Sequence, residues 1–427
     1  MTTEPTPAAA AAPQAPKGAN AFLMMSLVFL CASALWMAAS PSLFLEAGVQ
    51  AQSKAWTYLT LYGFAMPAVF GLIYRSLPMA FGAPLLSEKF IALHLAFHIA
   101  GFALVFFNTI LPEPPQPLMG QSFLACGVVV FLVNAGTALH KRGLAEPSSA
   151  FLATSLLWLA VSTAMGLPLA NAPLIGALKE THWASANLEL LLLGFVMNAV
   201  LGLSLRLTRM RLDSPPRTTG TAWLALALTN AGLAWLFGAI TYGPPGFAMF
   251  CVAVYCAGTL AFLARFMAIT QDHRAKILDW DTKMLLTALW VMPAVGLLAG
   301  WAAWLRMDNP EHPPVRLETA AALTAILAAA VPCLIALTCQ SGALLRGVSH
   351  DEEPSAHLRL SSYILLASFF NYATGVCLVL AGAGIGVEKM STLGALFLLV
   401  GTLGFLGHLL HAKNEKPAAA RSAQSPA

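Results

Sequence analysis

The stretch LTLYGFAMPAVFGLIYR (59–75) recurs 131 residues later (190 minus 59) as LLLLGFVMNAVLGLSLR (190–206). The two copies share the uncharged pattern G-F-x-M-x-A-V-x-G and both end on arginine. The offset continues without a gap into the next apolar segment, where Gly101 matches Gly232 and Phe106 matches Phe237. Leucine and alanine matches are frequent in so apolar a chain, but glycine, phenylalanine, methionine and arginine matches are not. The pattern therefore predicts an internal repeat of apolar helices.

The composition of the whole chain is that of a membrane protein. Its 427 residues are 58% hydrophobic and 10% charged, whereas soluble domains contain about 25% charged residues. About 20 apolar helical residues cross a bilayer core of about 30 Å. The sequence predicts an all-α polytopic membrane protein, because its apolar runs lack the alternation of β-barrel strands. Twelve segments are long enough: 21–40, 56–74, 90–110, 119–140, 150–170, 184–207, 220–240, 246–266, 283–304, 318–342, 358–382 and 391–411.

The basic residues alternate between the connections that these twelve segments create. Of the 23 lysines and arginines, fourteen lie in the even-numbered connections or at the segment ends that border them, and five lie in the odd-numbered connections. Basic residues stay on the cytoplasmic side, so we predict an inner-membrane protein with both termini in the cytoplasm. The Ala- and Pro-rich ends, 1–20 and 412–427, are predicted to be disordered tails around a membrane domain at 21–411. No basic cluster is dense enough for a nucleic acid, so lipid is the expected surrounding partner.

The repeat pairs the second segment with the sixth and the third with the seventh, which is a period of four helices. An even period keeps both copies in one orientation, related by an axis near the membrane normal. Twelve helices would make three such units. A third copy is not evident in segments 10 and 11, so the threefold arrangement is an extrapolation from the helix count.

The pattern YGFAMPAVFGLIYRSLP (62–78) resembles the second helix of subunit I of the haem–copper oxidases. That resemblance implies twelve helices in three arcs of four and both termini in the cytoplasm. A looser likeness extends to the NnrS family of haem- and copper-containing membrane proteins, which respond to nitric oxide. These likenesses imply a b-type haem or another transition metal, a role in respiratory electron transfer or in nitric oxide and copper handling, and partners among respiratory-complex subunits.

The metal ligands of those families have no matching residues in this chain. The outer part of segment 2 has Trp56, Tyr58 and Thr60 where a haem-binding histidine is expected. Segment 7 has Thr229 and Asn230 at its centre instead of a histidine pair, and segment 10 contains no histidine. Oxygen reduction at a copper centre is therefore disfavoured, no catalytic residue is assigned, and an enzymatic activity is not indicated.

Four histidines are the candidate cofactor ligands. His94 and His98 lie four residues apart on segment 3 and share a helix face, so they could clamp one metal ion. Alternatively, one of them could ligate a haem whose second ligand is on another helix. His408 and His411 on segment 12 reach the same depth and are the expected partners. Hydrogen bonding between helices and exposure at the interface are the competing interpretations of these four residues.

Glu189 is the candidate for proton relay, because it is the one carboxylate well inside a predicted helix. A cofactor-free function is the alternative to metal or haem binding: an assembly or structural partner of a respiratory complex, or a small-molecule transporter. A transporter made of parallel repeats should contain helices that are broken near Pro67 or Pro332.

Overall fold

The computed structural model describes residues 16–40, 51–111, 117–169, 180–215, 219–242, 245–272, 278–308, 315–345 and 356–413. Within these stretches all regular secondary structure is helical. Twelve of the helices are long and apolar enough to cross a membrane. The predicted fold class, an all-α polytopic membrane protein with twelve spans, is confirmed.

The twelve helices, numbered α1 to α12 along the chain, follow the twelve predicted segments. Nine are uninterrupted: α1 Lys17–Ala39, α3 Glu88–Ile110, α4 Pro117–Arg142, α5 Pro147–Leu169, α7 Gly220–Tyr242, α8 Pro245–Gln271, α9 Trp280–Asp308, α11 Ala356–Ile385 and α12 Glu388–Lys413. Three contain a π-helical turn between two α-helical parts: α2 (Ala51–Tyr58, Leu59–Ala65, Met66–Ala80), α6 (Glu180–Glu189, Leu190–Met197, Asn198–Arg211) and α10 (Val315–Leu323, Thr324–Ala330, Val331–Leu345).

The helical domain begins slightly earlier than predicted. α1 starts at Lys17, so residues 17–20 of the predicted tail are helical. Tertiary contacts explain the difference, because Ala19 is fully buried and Asn20 accepts a hydrogen bond from Arg75 on α2. At the other end α12 extends to Lys413, so residues 412–413 of the predicted tail are helical too, and residues 1–15 and 414–427 lie outside the described residues.

Helices α2, α6 and α10 form the centre of the molecule. Within the apolar windows of these three spans, 89%, 83% and 83% of the residues are buried, compared with 33–50% for the other nine. Each central helix contacts the other two, while the other nine surround them, and α12 closes the ring by packing against α1. A helix that is apolar on all sides is stable only when neighbours cover it, and the three central spans meet that condition.

The surrounding helices repeat the same contacts every four spans. We call α1–α4 unit 1, α5–α8 unit 2 and α9–α12 unit 3. In each unit the first helix packs on the central one, and the third and fourth form an antiparallel pair. One glycine in each pair meets the backbone nitrogen of the residue 23 positions later, where an added Cβ would lie only 2.5–2.6 Å away. These contacts join Gly101 to Leu124, Gly232 to Tyr255 and Gly375 to Leu398.

The third copy that the sequence did not reveal is therefore present in α11 and α12. Its offset from unit 2 is 143 residues (375 minus 232), not 131. The matching residues include a phenylalanine at the same place in α4, α8 and α12, and all three are essentially buried: Phe131, Phe262 and Phe405. The predicted four-helix period thus holds for the helix contacts of all three units.

A ring of hydrogen bonds joins the three central helices at one end. Arg75, Arg206 and Gln340 occupy equivalent positions on α2, α6 and α10. The side chain of each of these residues bonds both to another central helix and to the segment at the start of its own four-helix unit. The bonds join Arg75 to Ser341 (3.1 Å) and Asn20, Arg206 to the carbonyl of Ala80 (2.7 Å) and Glu146, and Gln340 to Thr208 (3.1 Å) and Thr282. We call this the basic end of the protein.

A pair of glycine substitutions on α11 tests the third unit. Gly375→Ala should lower the free energy of unfolding by about 1–3 kcal/mol, because the new methyl group collides with the backbone of α12. Gly384→Ala on the same helix has open space around it and should be neutral or slightly stabilising. Denaturant unfolding in mixed micelles measures both, and equal effects would contradict the close α11–α12 contact.

Candidate functional site

The predicted histidine pair is buried in unit 1, where α3 faces α1, α2 and α4. His94 is fully buried and His98 is 1% exposed, and their ring centroids are 6.1 Å apart. Aromatic rings enclose His94: the centroids of Phe22, Phe70 and Phe131 lie 4.8, 4.5 and 5.3 Å from its own. The shared helix face predicted from the four-residue spacing is therefore the face that packs into the protein.

The hydrogen bond of His98 follows from the proline on α2. In the π turn the backbone N–H of Met66 donates five residues back, to the carbonyl of Leu61. The next residue, Pro67, has no N–H, so the carbonyl of Tyr62 lacks the donor that this register would supply. Nε2 of His98 lies 2.8 Å from that carbonyl and donates to it. An unsatisfied carbonyl is costly in an apolar interior, and His98 removes this cost.

The π turn of unit 2 also receives side-chain hydrogen bonds, but from a different residue. Asn198 stands where unit 1 has Pro67, and its side-chain amide donates to the carbonyls of Leu193 and Gly194 at 3.3 and 2.8 Å. Asn230 on α7 in turn donates to the carbonyl oxygen of the Asn198 side chain at 3.1 Å. A side chain supports the π turn from within the central helix in unit 2, and from a neighbouring helix in unit 1.

His94 ends a hydrogen-bond chain that begins at the basic end. Oδ1 of Asn134 accepts the backbone N–H groups of Leu86 (2.9 Å) and Ser87 (3.2 Å), which fixes the orientation of its amide. Its Nδ2 donates to the carbonyl of Ser87, and the amide also interacts with Tyr74. The Tyr74 oxygen accepts a hydrogen from the Asn134 amide. The Tyr74 hydroxyl therefore donates its own hydrogen to Nδ1 of His94, at 3.1 Å.

The remaining ring nitrogen of His94, Nε2, is a buried polar atom. Because Nδ1 accepts from Tyr74, the neutral imidazole carries its proton on Nε2. Nε2 has no hydrogen-bond partner among the described residues. The equivalent positions hold Ala225 and Thr229 in unit 2, and Ser368 and Tyr372 in unit 3, so the histidine pair is peculiar to unit 1.

A haem does not fit this pair. A porphyrin needs a flat slot beside its axial imidazole, but the rings around His94 are already in direct contact with it at 4.5–5.3 Å between centroids. A single metal ion does fit the spacing. Metal–imidazole bonds of about 2.0 Å place two ring centroids about 6 Å apart when the two bonds point in nearly opposite directions.

The other predicted ligands lie elsewhere in the protein. His408 and His411 are partly exposed on α12, which packs against α11 and α1. Among the described residues, no three His, Cys, Asp or Glu side chains are close enough together to hold a metal ion. The structure therefore does not gather the four candidate histidines into one metal-binding group.

Glu189, the predicted proton-relay residue, is the last α-helical residue before the π turn of α6 and is partly exposed. It lies near the end opposite the basic end, two residues from the buried Asn187. Three residues that act on the histidines were missed by the sequence analysis: Tyr62, Tyr74 and Asn134. The one available signal was Pro67, whose missing N–H requires a donor to reach α2 from another helix.

The fold and the site define a polytopic α-helical membrane protein with three four-helix units and a buried histidine pair in the first. Comparison with models of known protein families found no match, and comparison with curated proteins found none either. The oxidase and NnrS likenesses consequently rest on the sequence pattern of the central helices alone.

A double-mutant cycle tests the role of His98. His98→Leu should destabilise the protein by about 1–3 kcal/mol, because it leaves the Tyr62 carbonyl buried without a donor. In a Pro67→Ala background the new alanine amide can donate to α2 itself, so the same substitution should cost less. Unfolding of the four proteins in mixed micelles gives the coupling energy. Equal costs in both backgrounds would contradict the proline explanation.

Proposed function

We propose that this protein is a divergent oxidase-like membrane protein that binds one copper(I) ion between His94 and His98. It would serve copper handling in a respiratory inner membrane, with both termini in the cytoplasm. The observation that carries the proposal is the buried Nε2 of His94, which has no hydrogen-bond partner among the described residues, while the opposite ring nitrogen is hydrogen-bonded. Metal-ligating histidines commonly donate their second ring N–H to an acceptor, as His98 donates to the Tyr62 carbonyl.

Two of the four ring nitrogens are hydrogen-bonded, so a bound metal would take Nε2 of His94 and Nδ1 of His98. His98 uses Nε2 for the Tyr62 carbonyl, and His94 uses Nδ1 for Tyr74. Binding at Nε2 of His94 requires the other neutral tautomer, with the proton on Nδ1 and the Tyr74 oxygen as acceptor. A hydroxyl hydrogen rotates freely enough to allow this exchange of roles.

The surroundings favour a monovalent ion. Among the described residues, the contacts of the two imidazoles are aromatic rings, a tyrosine hydroxyl and a backbone carbonyl, and these contacts include no carboxylate. A divalent ion would stay uncompensated in this apolar interior at high cost. A single positive charge is less costly, and the faces of Phe22, Phe70 and Phe131 can partly offset it. Imidazole is a suitable ligand for copper.

A cofactor-free scaffold is the second candidate, as an assembly or structural partner of a respiratory complex. The observation that favours it is that both histidines have structural tasks, one at the Tyr62 carbonyl and one in the Asn134–Tyr74 chain. The transporter version receives no support, because the central helices remain helical through Pro67 and Pro332, each of which is the second residue after a π turn, instead of breaking there.

Anaerobic titration of the purified protein with copper(I) and a competing chelator tests the proposal. We expect one ion per chain, and a decrease in affinity of at least 100-fold in His94→Leu, because one of two ligands is lost. His140→Leu, at an exposed position on α4, is the matched control and should bind like the unmodified protein. An absorption spectrum of the reduced protein is expected to lack haem bands.

Two results would contradict the copper proposal. Unmodified protein that binds no more copper than His94→Leu would favour the scaffold. Retained binding in His94→Leu, together with loss of binding in His408→Leu, would move the metal to α12 and remove the histidine pair from the site.

A further inference from the structure

A second group of buried polar residues lies in unit 1 and its neighbours, towards the end opposite the basic end. Tyr62, Gln121, Ser162 and Asn187 come from four different helices, α2, α4, α5 and α6. Tyr62, Ser162 and Asn187 are only 7%, 3% and 9% exposed. Polar side chains at this depth of a membrane protein are costly and are commonly functional.

These side chains contact one another around a glycine. Ser162 donates to Oδ1 of Asn187 at 2.7 Å. A Cβ added at Gly166 would lie 3.5 Å from Oε1 of Gln121 and 3.7 Å from Nδ2 of Asn187, so the two amides face each other across a position without a side chain. Gln121 also interacts with the Tyr62 hydroxyl. The group, which we call the polar recess, is thus a connected set.

The polar recess adjoins the histidine pair directly. Its deepest member, Tyr62, supplies the backbone carbonyl that accepts the hydrogen bond of His98. On the other side of the pair, the route to the basic end is closed by Asn134, whose amide is bonded to the backbone of Leu86 and Ser87. Arg75 and Arg206 at that end would also repel a cation.

We propose that the polar recess is the access route by which a monovalent metal cation reaches His94 and His98 from the end opposite the basic end. The inference rests on the proposed copper function. Neutral oxygen atoms replace the water of a partly dehydrated cation without trapping it, and the recess offers such atoms on Tyr62, Gln121, Ser162 and Asn187. The missing side chain at Gly166 leaves space between the two amides.

Cysteine labelling tests the recess without any metal. Ser162→Cys should react with 2-aminoethyl methanethiosulfonate, a small hydrophilic cation that forms a mixed disulfide with the thiolate and releases methanesulfinate. Ser155→Cys, seven residues and thus two turns towards the basic end on the same face of α5, is fully buried and should remain unlabelled. The seven native cysteines set the background in both variants. Equal labelling of the two variants, or none in either, would overturn the access route.

The rate of metal loading tests the occupant of the route. Gly166→Val fills the gap between Gln121 and Asn187, so it should slow loading by silver(I), a redox-inert substitute for copper(I), at least tenfold. The final stoichiometry should not change. Gly136→Val on α4, which has open space around it, is the matched control and should load at the unmodified rate.

The outcomes separate the two proposals. If the unmodified protein binds silver and Gly166→Val loads at the same rate, the access route is wrong and the copper site stands. If the protein binds neither metal, the copper function is wrong. Labelling of Ser162→Cys in that case would still support the recess as a hydrophilic opening.

Discussion

The mutual packing of α2, α6 and α10 is the constraint on which the rest of the structure depends. Nine helices find their places by covering these three. In an apolar interior each backbone carbonyl of the central helices needs a hydrogen-bond donor. The carbonyls of the π turns share this need, and the π turns lie at the same level in all three central helices. Unit 1 meets it with His98 and unit 2 with Asn198. The candidate site of unit 1 therefore includes a residue that meets a structural requirement of the central helix.

The three units share their architecture and differ in their polar residues. The glycine contacts of the helix pairs and the ring at the basic end are common to all three. The histidine pair and its chain to Asn134 belong to unit 1 alone. Such a distribution fits a repeated scaffold in which only the first unit carries the candidate site.

The sequence predicted the twelve helices from the lengths of its apolar runs. It predicted two copies of the repeat because glycine and phenylalanine recur at a fixed offset in 59–75 and 190–206. It did not reveal the third, because α10 has Ala328 and Ala336 where α2 has glycines, and the offset changes in α11. His94 and His98 were found from their spacing. Their partners were predicted on α12. In the structure their hydrogen-bond partners are the Tyr74 hydroxyl and the Tyr62 carbonyl, both on α2. Packing between helices selects such partners, and helix periodicity carries no information about it.

The central claim is that three equivalent four-helix units surround the central helices. Pairwise distances between nitroxide labels at 93, 224 and 367, equivalent exposed positions on α3, α7 and α11, test it most directly. They can be measured by double electron–electron resonance in chains without the native cysteines. The account predicts three equal distances within the width of the label distributions. One distance clearly different from the other two would contradict the threefold arrangement.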